Sequence, residues 1–277
     1  MDAKATVKIG PFARGGTNRV VVKAADHDFQ PAAMVTPVGI FLPASDELFL
    51  SLVTSKVTSD CLVDCLRQWW ARVRGRFAHS TTLVLNLDNG PENHSRRTQF
   101  MLRLLEFAQQ TGLHLRLAYY PPYHSKYNPV ERCWGILENH WNGSLLDSLE
   151  TVLQFATTMT WKGAHPIVEL VTSAYQTGVT LTKQAMAQVE AHLERLPDLE
   201  KWFVDITCSP SYPGCVILLD SLTVFQFPQA RCRQAPDRGI IMGSTRSISP
   251  ATRSSNYQCP GAWAYDYRGL YAGYSKV

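Results

Sequence analysis

Apolar side chains along residues 1–206 recur with periods of two and of about 3.6, and the switches between them predict the elements. Ala5-Thr6-Val7-Lys8-Ile9 alternates as a strand does, and Arg14-Gly15-Gly16-Thr17 reads as a loop. Val38-Gly39-Ile40-Phe41-Leu42 and Leu48-Phe49-Leu50-Ser51-Leu52-Val53 flank Pro43-Ala44-Ser45-Asp46, which predicts a hairpin. From Ser59 onward, Leu62, Leu66, Trp69, Trp70 and Val73 repeat at helical spacing. Leu83-Val84-Leu85-Asn86-Leu87 is apolar enough for a buried strand and stops at Asp88-Asn89-Gly90. Phe100, Met101, Leu104, Leu105 and Ala108 mark a helix closed by Gly112. Leu113, Leu115 and Leu117 alternate in another strand, Pro121-Pro122 ends it, and further helices start at Pro129 and near Leu146.

The order is a three-stranded meander, then helix, strand, helix, strand, helix. Strand–helix–strand units imply parallel pairing with right-handed crossovers, so the class is α/β with a mixed sheet. In such sheets functional groups gather beyond the carboxyl ends of the strands. Asp88 stands at one such end. The segment from Tyr119 to Asn128 leaves the next one and carries Glu131 to the same rim.

Composition changes this picture in one place. Seven cysteines without regular spacing, no Cys-x2-Cys pair and scattered histidines speak against a disulfide scaffold and against structural zinc. With no long apolar run and no basic-then-apolar start, a soluble, cytoplasmic protein is expected. The net charge of +4 lies wholly in residues 207–277, which hold seven Lys/Arg and three Asp and leave 20 basic and 20 acidic side chains before them. A basic pI is therefore no argument that the main body binds nucleic acid. Residues 207–277 are also rich in Ser, Pro and Gly, and helical periodicity fades after about residue 196. A domain over 1–206 is expected, followed by an irregular tail that is either loosely packed or translated out of its original frame.

The chemistry must come from the rim. Carboxylates are hard oxygen ligands of the kind Mg²⁺ takes, and two metals about 3.5–4 Å apart can clamp both oxygens of an in-line phosphoryl displacement. Such a site needs a third acid; Asp2 is the first choice, with Asp26 and Asp28 in reserve. Each residue also has a plainer reading. Asp-Asn-Gly after a strand is a turn in its own right. Asn128-Pro129-Val130-Glu131 offers an N-cap, a first-turn proline and an N3 glutamate, so Glu131 on its own reads as half of a capping box. Cys133, Trp134, Leu137 and Trp141 read as core, Cys61 and Cys65 as small buried hydrophobes, and His94 and His124 as loop scaffold or phosphate contacts.

Longer strings tip the balance. Leu85-Asn86-Leu87-Asp88-Asn89-Gly90-Pro91-Glu92-Asn93 and the run Tyr119-Tyr120-Pro121-Pro122-Tyr123-His124-Ser125-Lys126-Tyr127-Asn128-Pro129-Val130-Glu131-Arg132-Cys133-Trp134-Gly135 closely resemble the ISAzo-type transposases of bacterial insertion sequences, whose catalytic part is the Rhodopirellula-type DDE domain. Asp2 to Gly10, Ala25-Asp26-His27-Asp28 and Met159-Thr160-Trp161-Lys162-Gly163 extend the likeness over residues 2–206. The resemblance implies an RNase H-like fold, a mixed five-stranded sheet flanked by helices. It implies metal-dependent cleavage and strand transfer of DNA, with Asp2, Asp88 and Glu131 holding two Mg²⁺ or Mn²⁺ ions. Asn89, His124, Lys126 and Asn128 would shape the loop or touch DNA phosphates. Transposon ends and target DNA are the implied partners, with a second copy or other transposase subunits. Family members carry a helix-turn-helix region ahead of the first acid, so an N-terminally truncated and weakly active or inactive copy is expected. The contrasting expectation is a fragment that binds DNA or another subunit without doing chemistry.

Overall fold

A computed structural model describes residues 1–17, 23–25, 29–121 and 128–207. All of the expected tail but Thr207 lies outside them, as do Asp26, Asp28, His124 and Lys126. The chain forms β1 (Asp2–Ala3), β2 (Val7–Ile9), β3 (Ala33–Leu42), β4 (Glu47–Val53), α1 (Ser59–Val73), β5 (Thr82–Leu87), α2 (Thr98–Thr111), β6 (His114–Tyr119), α3 (Pro129–Trp141), α4 (Leu149–Thr158), β7 (Ile167–Val171), α5 (Lys183–Glu190), β8 (Leu193–Arg195) and β9 (Phe203–Ile206). Among the described residues no helix is long and apolar enough to cross a membrane.

Local chemistry accounts for the boundaries. The Thr58 hydroxyl accepts from the Cys61 amide at the start of α1, and Ser148 accepts from Thr151 at the start of α4. Gly112 ends α2 in the left-handed conformation, φ 70°, that costs glycine least. β3 and β4 pair antiparallel from Thr36↔Val53 to Leu42↔Glu47, the expected hairpin, and β5 pairs parallel with β6 from Thr82↔His114 to Leu87↔Tyr119. Asp2–Ile9 runs antiparallel along β3, but the register steps by one residue between Ala3↔Val38 and Val7↔Val35. The extra residue is a bulge, and Pro37, which has no N–H to offer a ladder, sits opposite it.

Two side-chain cores follow from strand alternation. Val38, Ile40, Phe49 and Val53 face α1 and α2, in one apolar cluster that also takes in Leu85, Leu87, Leu115 and Leu117. Leu48, Leu50 and Leu52 point the other way, onto Val130, Cys133, Leu137 and Trp141 of α3 and Val152 and Ala156 of α4. The sheet built on β3 and β4 is therefore covered by helices on both faces. Cys61 and Cys65 are buried free thiols within the first cluster, and the four α3 residues read as core are buried.

One expectation is altered. Instead of a single five-stranded sheet, the described residues form two: β1-β3-β4-β7 with β2 also on β3, and β5-β6-β9-β8. β1 would be the strand to join them, but its two residues pair only with β3. Next to it, the Met1 amino group donates to the Asn86 carbonyl of β5 at 2.9 Å. β7, α5, β8 and β9 add to the elements expected from periodicity. Three of these strands are only three to five residues long, too short to show a period.

Candidate active site

Three acids reach the same rim by three routes. Asp2 belongs to β1, Asp88 follows the last residue of β5, and Glu131 lies in the first turn of α3. They differ in exposure: Asp2 is buried, Asp88 half-buried and Glu131 exposed. Their charges act on one another. Asp2 is raised above the ordinary carboxylate range, first by burial and then by Asp88, against the Trp134 hydrogen bond that favours its ionised form. Glu131 is also raised, by desolvation and then by Asp2 and Asp88, with Lys4 pulling the other way. Burial holds the Met1 amine below its usual value although both Asp2 and Asp88 favour its charge.

Two of the acids are held by indole or amide donors. Trp134 Nε1 donates to Asp2 Oδ2 at 3.0 Å. The indole can come that close because β3 carries a glycine where α3 crosses it. A Cβ on Gly39 would stand 2.6 Å from Trp134 Cη2 and 2.9 Å from Val130 Cγ2. A second tie to α3, the ion pair of Lys4 with Glu138, follows directly after β1. Asn93 Nδ2 donates to Asp88 Oδ1 at 2.6 Å.

The Asn93 loop is clamped from three elements, α1, β6 and β8, and by Arg97 just ahead of α2. The Ser59 amide and hydroxyl at the start of α1 donate to Glu92 Oε2 at 3.1 Å and to the Glu92 carbonyl at 2.7 Å. Arg97 donates to Glu92 at 3.1 Å, the Tyr119 hydroxyl of β6 to the Asn93 carbonyl at 2.9 Å, and Arg195 of β8 to the Ser95 carbonyl at 3.1 Å. His94 Nδ1 accepts from the Arg96 amide within the loop. Asn93 Oδ1 is buried without a partner, at a cost of about 1–3 kcal/mol. A loop that tolerates this while orienting a carboxylate is held for position rather than for stability.

The capping reading of Glu131 loses ground. Asn128 is the N-cap residue and Pro129 follows it in the first turn, but the Asn128 side chain makes no cap bond. Asp88-Asn89-Gly90 does not itself form the turn expected of it: the turn follows at Pro91 to Asn93, closed by the amides of Asn93 and His94 on the Gly90 carbonyl, and Asp88 precedes it. Asn89 is exposed beside Asp88, whereas Asn128 is buried.

As ligands, the three carboxylates are hard oxygens of the kind Mg²⁺ takes. Trp134 and the Ala3 amide bond the Asp2 carboxylate, and Asn93 bonds one oxygen of Asp88. Among the described residues, however, no group of three or more His, Cys, Asp or Glu closes into an arrangement that could hold a metal ion. Sequence reasoning named the three acids and did not single out Gly39, Asn93, Tyr119 or Arg195. Only Asn93, five residues after Asp88, was close enough in sequence to suggest itself.

Residues 1–208 match the model of the family described as the Rhodopirellula transposase DDE domain. No curated protein and no solved structure matches the chain.

Proposed function

Since the chain belongs to the Rhodopirellula transposase DDE domain family, we propose that it carries out metal-dependent phosphoryl transfer on DNA: strand cleavage by water, then strand transfer by a DNA 3′-hydroxyl. The observation that carries this reading is the family match over residues 1–208, with Asp2 of β1, Asp88 after β5 and Glu131 in the first turn of α3 as its acids. Two Mg²⁺ or Mn²⁺ ions held by these residues would polarise phosphate oxygens and lower the pKa of the attacking hydroxyl. The chain's own part is positioning. Asn93 and the clamped loop hold Asp88, Trp134 holds Asp2, and Glu131 on the exposed first turn completes the set. Asn89 at the rim, with His124 and Lys126, is assigned to the DNA backbone.

A second reading has one observation in its favour: the absence, among the described residues, of a closed three-ligand group. On that reading the chain binds DNA or another transposase subunit without chemistry. Incubation of supercoiled plasmid with the protein in Mn²⁺ separates the two. Nicking that disappears in Asp88→Asn and in Glu131→Gln is expected. DNA binding without nicking would establish the second reading, and nicking unchanged in both variants would overturn the site.

A further inference from the structure

Asn93 spends only half of its side chain on Asp88. Its Nδ2 donates to Asp88 Oδ1 at 2.6 Å, while its own Oδ1 is buried and accepts nothing among the described residues. The residue as a whole is 5% exposed. Turning the amide over would not relieve that oxygen, because it would then face Asp88 Oδ1, acceptor against acceptor. Nor can the backbone swing away. The Asn93 carbonyl takes the Tyr119 hydroxyl at 2.9 Å, and its amide donates to the Gly90 carbonyl. A buried acceptor is almost always paired, and where no protein group serves, water or an ion does. With the charges of Asp2, Asp88 and Glu131 acting on one another, a cation is the favoured of the two.

Gly90 shows where the oxygen is aimed. A Cβ on Gly90 would stand 3.0 Å from Asn93 Oδ1 and 3.0 Å from Asp88 Oδ2. The backbone there is not left-handed, so conformation does not demand a glycine. What the missing side chain leaves clear is a point on which a carboxylate oxygen and an amide oxygen converge. Oxygen ligands lie about 2.0–2.6 Å from Mg²⁺ or Ca²⁺, and so within about 5 Å of each other. Two oxygens that share a point 3.0 Å from each can take that separation.

We propose that Asn93 Oδ1 is a metal ligand, and that Asp88 Oδ2 and Asn93 Oδ1 together take one Mg²⁺ or Mn²⁺ ion over the space that Gly90 keeps open. This rests on the reading of the chain as metal-dependent and adds to it a ligand outside the three acids. Both donors are hard oxygens, one charged and one neutral, a set that suits these ions and not a soft metal. The amide then has two tasks: its nitrogen fixes the carboxylate and its oxygen meets the ion. An aspartate at this position would set two carboxylates together in the metal-free chain. The described residues contain no closed group of three His, Cys, Asp or Glu, and a neutral amide oxygen meets part of that shortage.

The test measures binding on the full 277-residue chain. Asn93→Asp loses the donor to Asp88 but adds a charge to the ligand. It should bind Mn²⁺ about tenfold tighter than the wild type by calorimetry, since ligand charge tunes affinity. Its melting temperature should be low in chelator and recover in Mn²⁺. Asn93→Cys offers a thiolate, so preference should move from Mn²⁺ towards Cd²⁺. A thiolate-to-cadmium absorption band should appear beyond that of the wild type and vanish when Asp88→Asn is added. Gly90→Ala fills the converging space and should weaken Mn²⁺ binding about tenfold with an unchanged circular dichroism spectrum. If Asn93→Asp fails to fold, the cadmium band of Asn93→Cys decides. Weaker Mn²⁺ binding by folded Asn93→Asp, no new cadmium band, or wild-type affinity in Gly90→Ala would overturn the ligand and leave the three acids standing. A wild type that binds no Mn²⁺ would overturn the ligand and the proposed function together.

Discussion

Asp2 and Glu131 have pKa values raised by burial and by neighbouring acids, so the metal-free fold works against their ionisation. The linkage has a definite sign. Below the ordinary carboxylate range of about 4 both groups are protonated in folded and unfolded chains alike, and their stabilising effect is fully present. It is lost as pH rises through their raised folded values. The variant Asp2→Asn with Glu131→Gln should therefore melt higher than the wild type at neutral pH, and the difference should vanish near pH 4 and below. Thermal melts across that range check it. Asparagine still accepts from Trp134, so the gain is not masked by a lost bond. In the same variant, calorimetric titration should show no Mn²⁺ binding; retained binding would return Glu131 to a helix-end role. Asn93→Ala should leave the fold nearly intact, since it also removes an unpaired buried oxygen, and yet weaken Mn²⁺ binding severalfold by freeing Asp88.

At the scale of elements the site depends on how closely α3 lies on β3. Gly39 provides that approach, because any Cβ there would meet the Trp134 ring and Val130 under 3 Å. Gly39→Ala should cost about 1–3 kcal/mol by overpacking and, by lifting Trp134 off Asp2, weaken metal binding. Urea unfolding and Mn²⁺ titration measure the two effects. A stability loss with unchanged metal affinity would mean that Trp134 packs the sheet without positioning the acid. The loop after β5 depends in the same way on β8, a three-residue strand whose Arg195 also pairs with Glu190.

For the whole molecule, residues 1–206 carry equal numbers of basic and acidic side chains, so any hold on DNA by this part must come from local patches. Binding to duplex DNA should fall steeply as salt is raised from about 50 to 200 mM, with little sequence preference. The rim acids repel phosphate when no cation is added. Asp88→Asn should thus bind duplex tighter than the wild type in the presence of chelator while losing Mn²⁺-dependent nicking. Fluorescence anisotropy at several salt concentrations reads the first part. Weaker binding by Asp88→Asn would place the DNA elsewhere on the surface.

Period-two and helical repeats in the sequence by themselves determined β3 to β6, α1 to α3 and the hairpin, because burying one face of an element is a local requirement written into neighbouring positions. The strand-end rule likewise brought Asp88 and Glu131 to one rim, and the long motifs supplied Asp2 and the family. Tertiary structure alone decided how those acids are held. Trp134 and Asp2 are 132 positions apart, Arg195 and Ser95 100, and Tyr119 and Asn93 26, distances no periodic window spans. It also decided that the sheet divides at β1. Pairing on a second edge takes more residues than the two of β1 supply, and that shortage shows only once β3 and β5 are seen on either side of it.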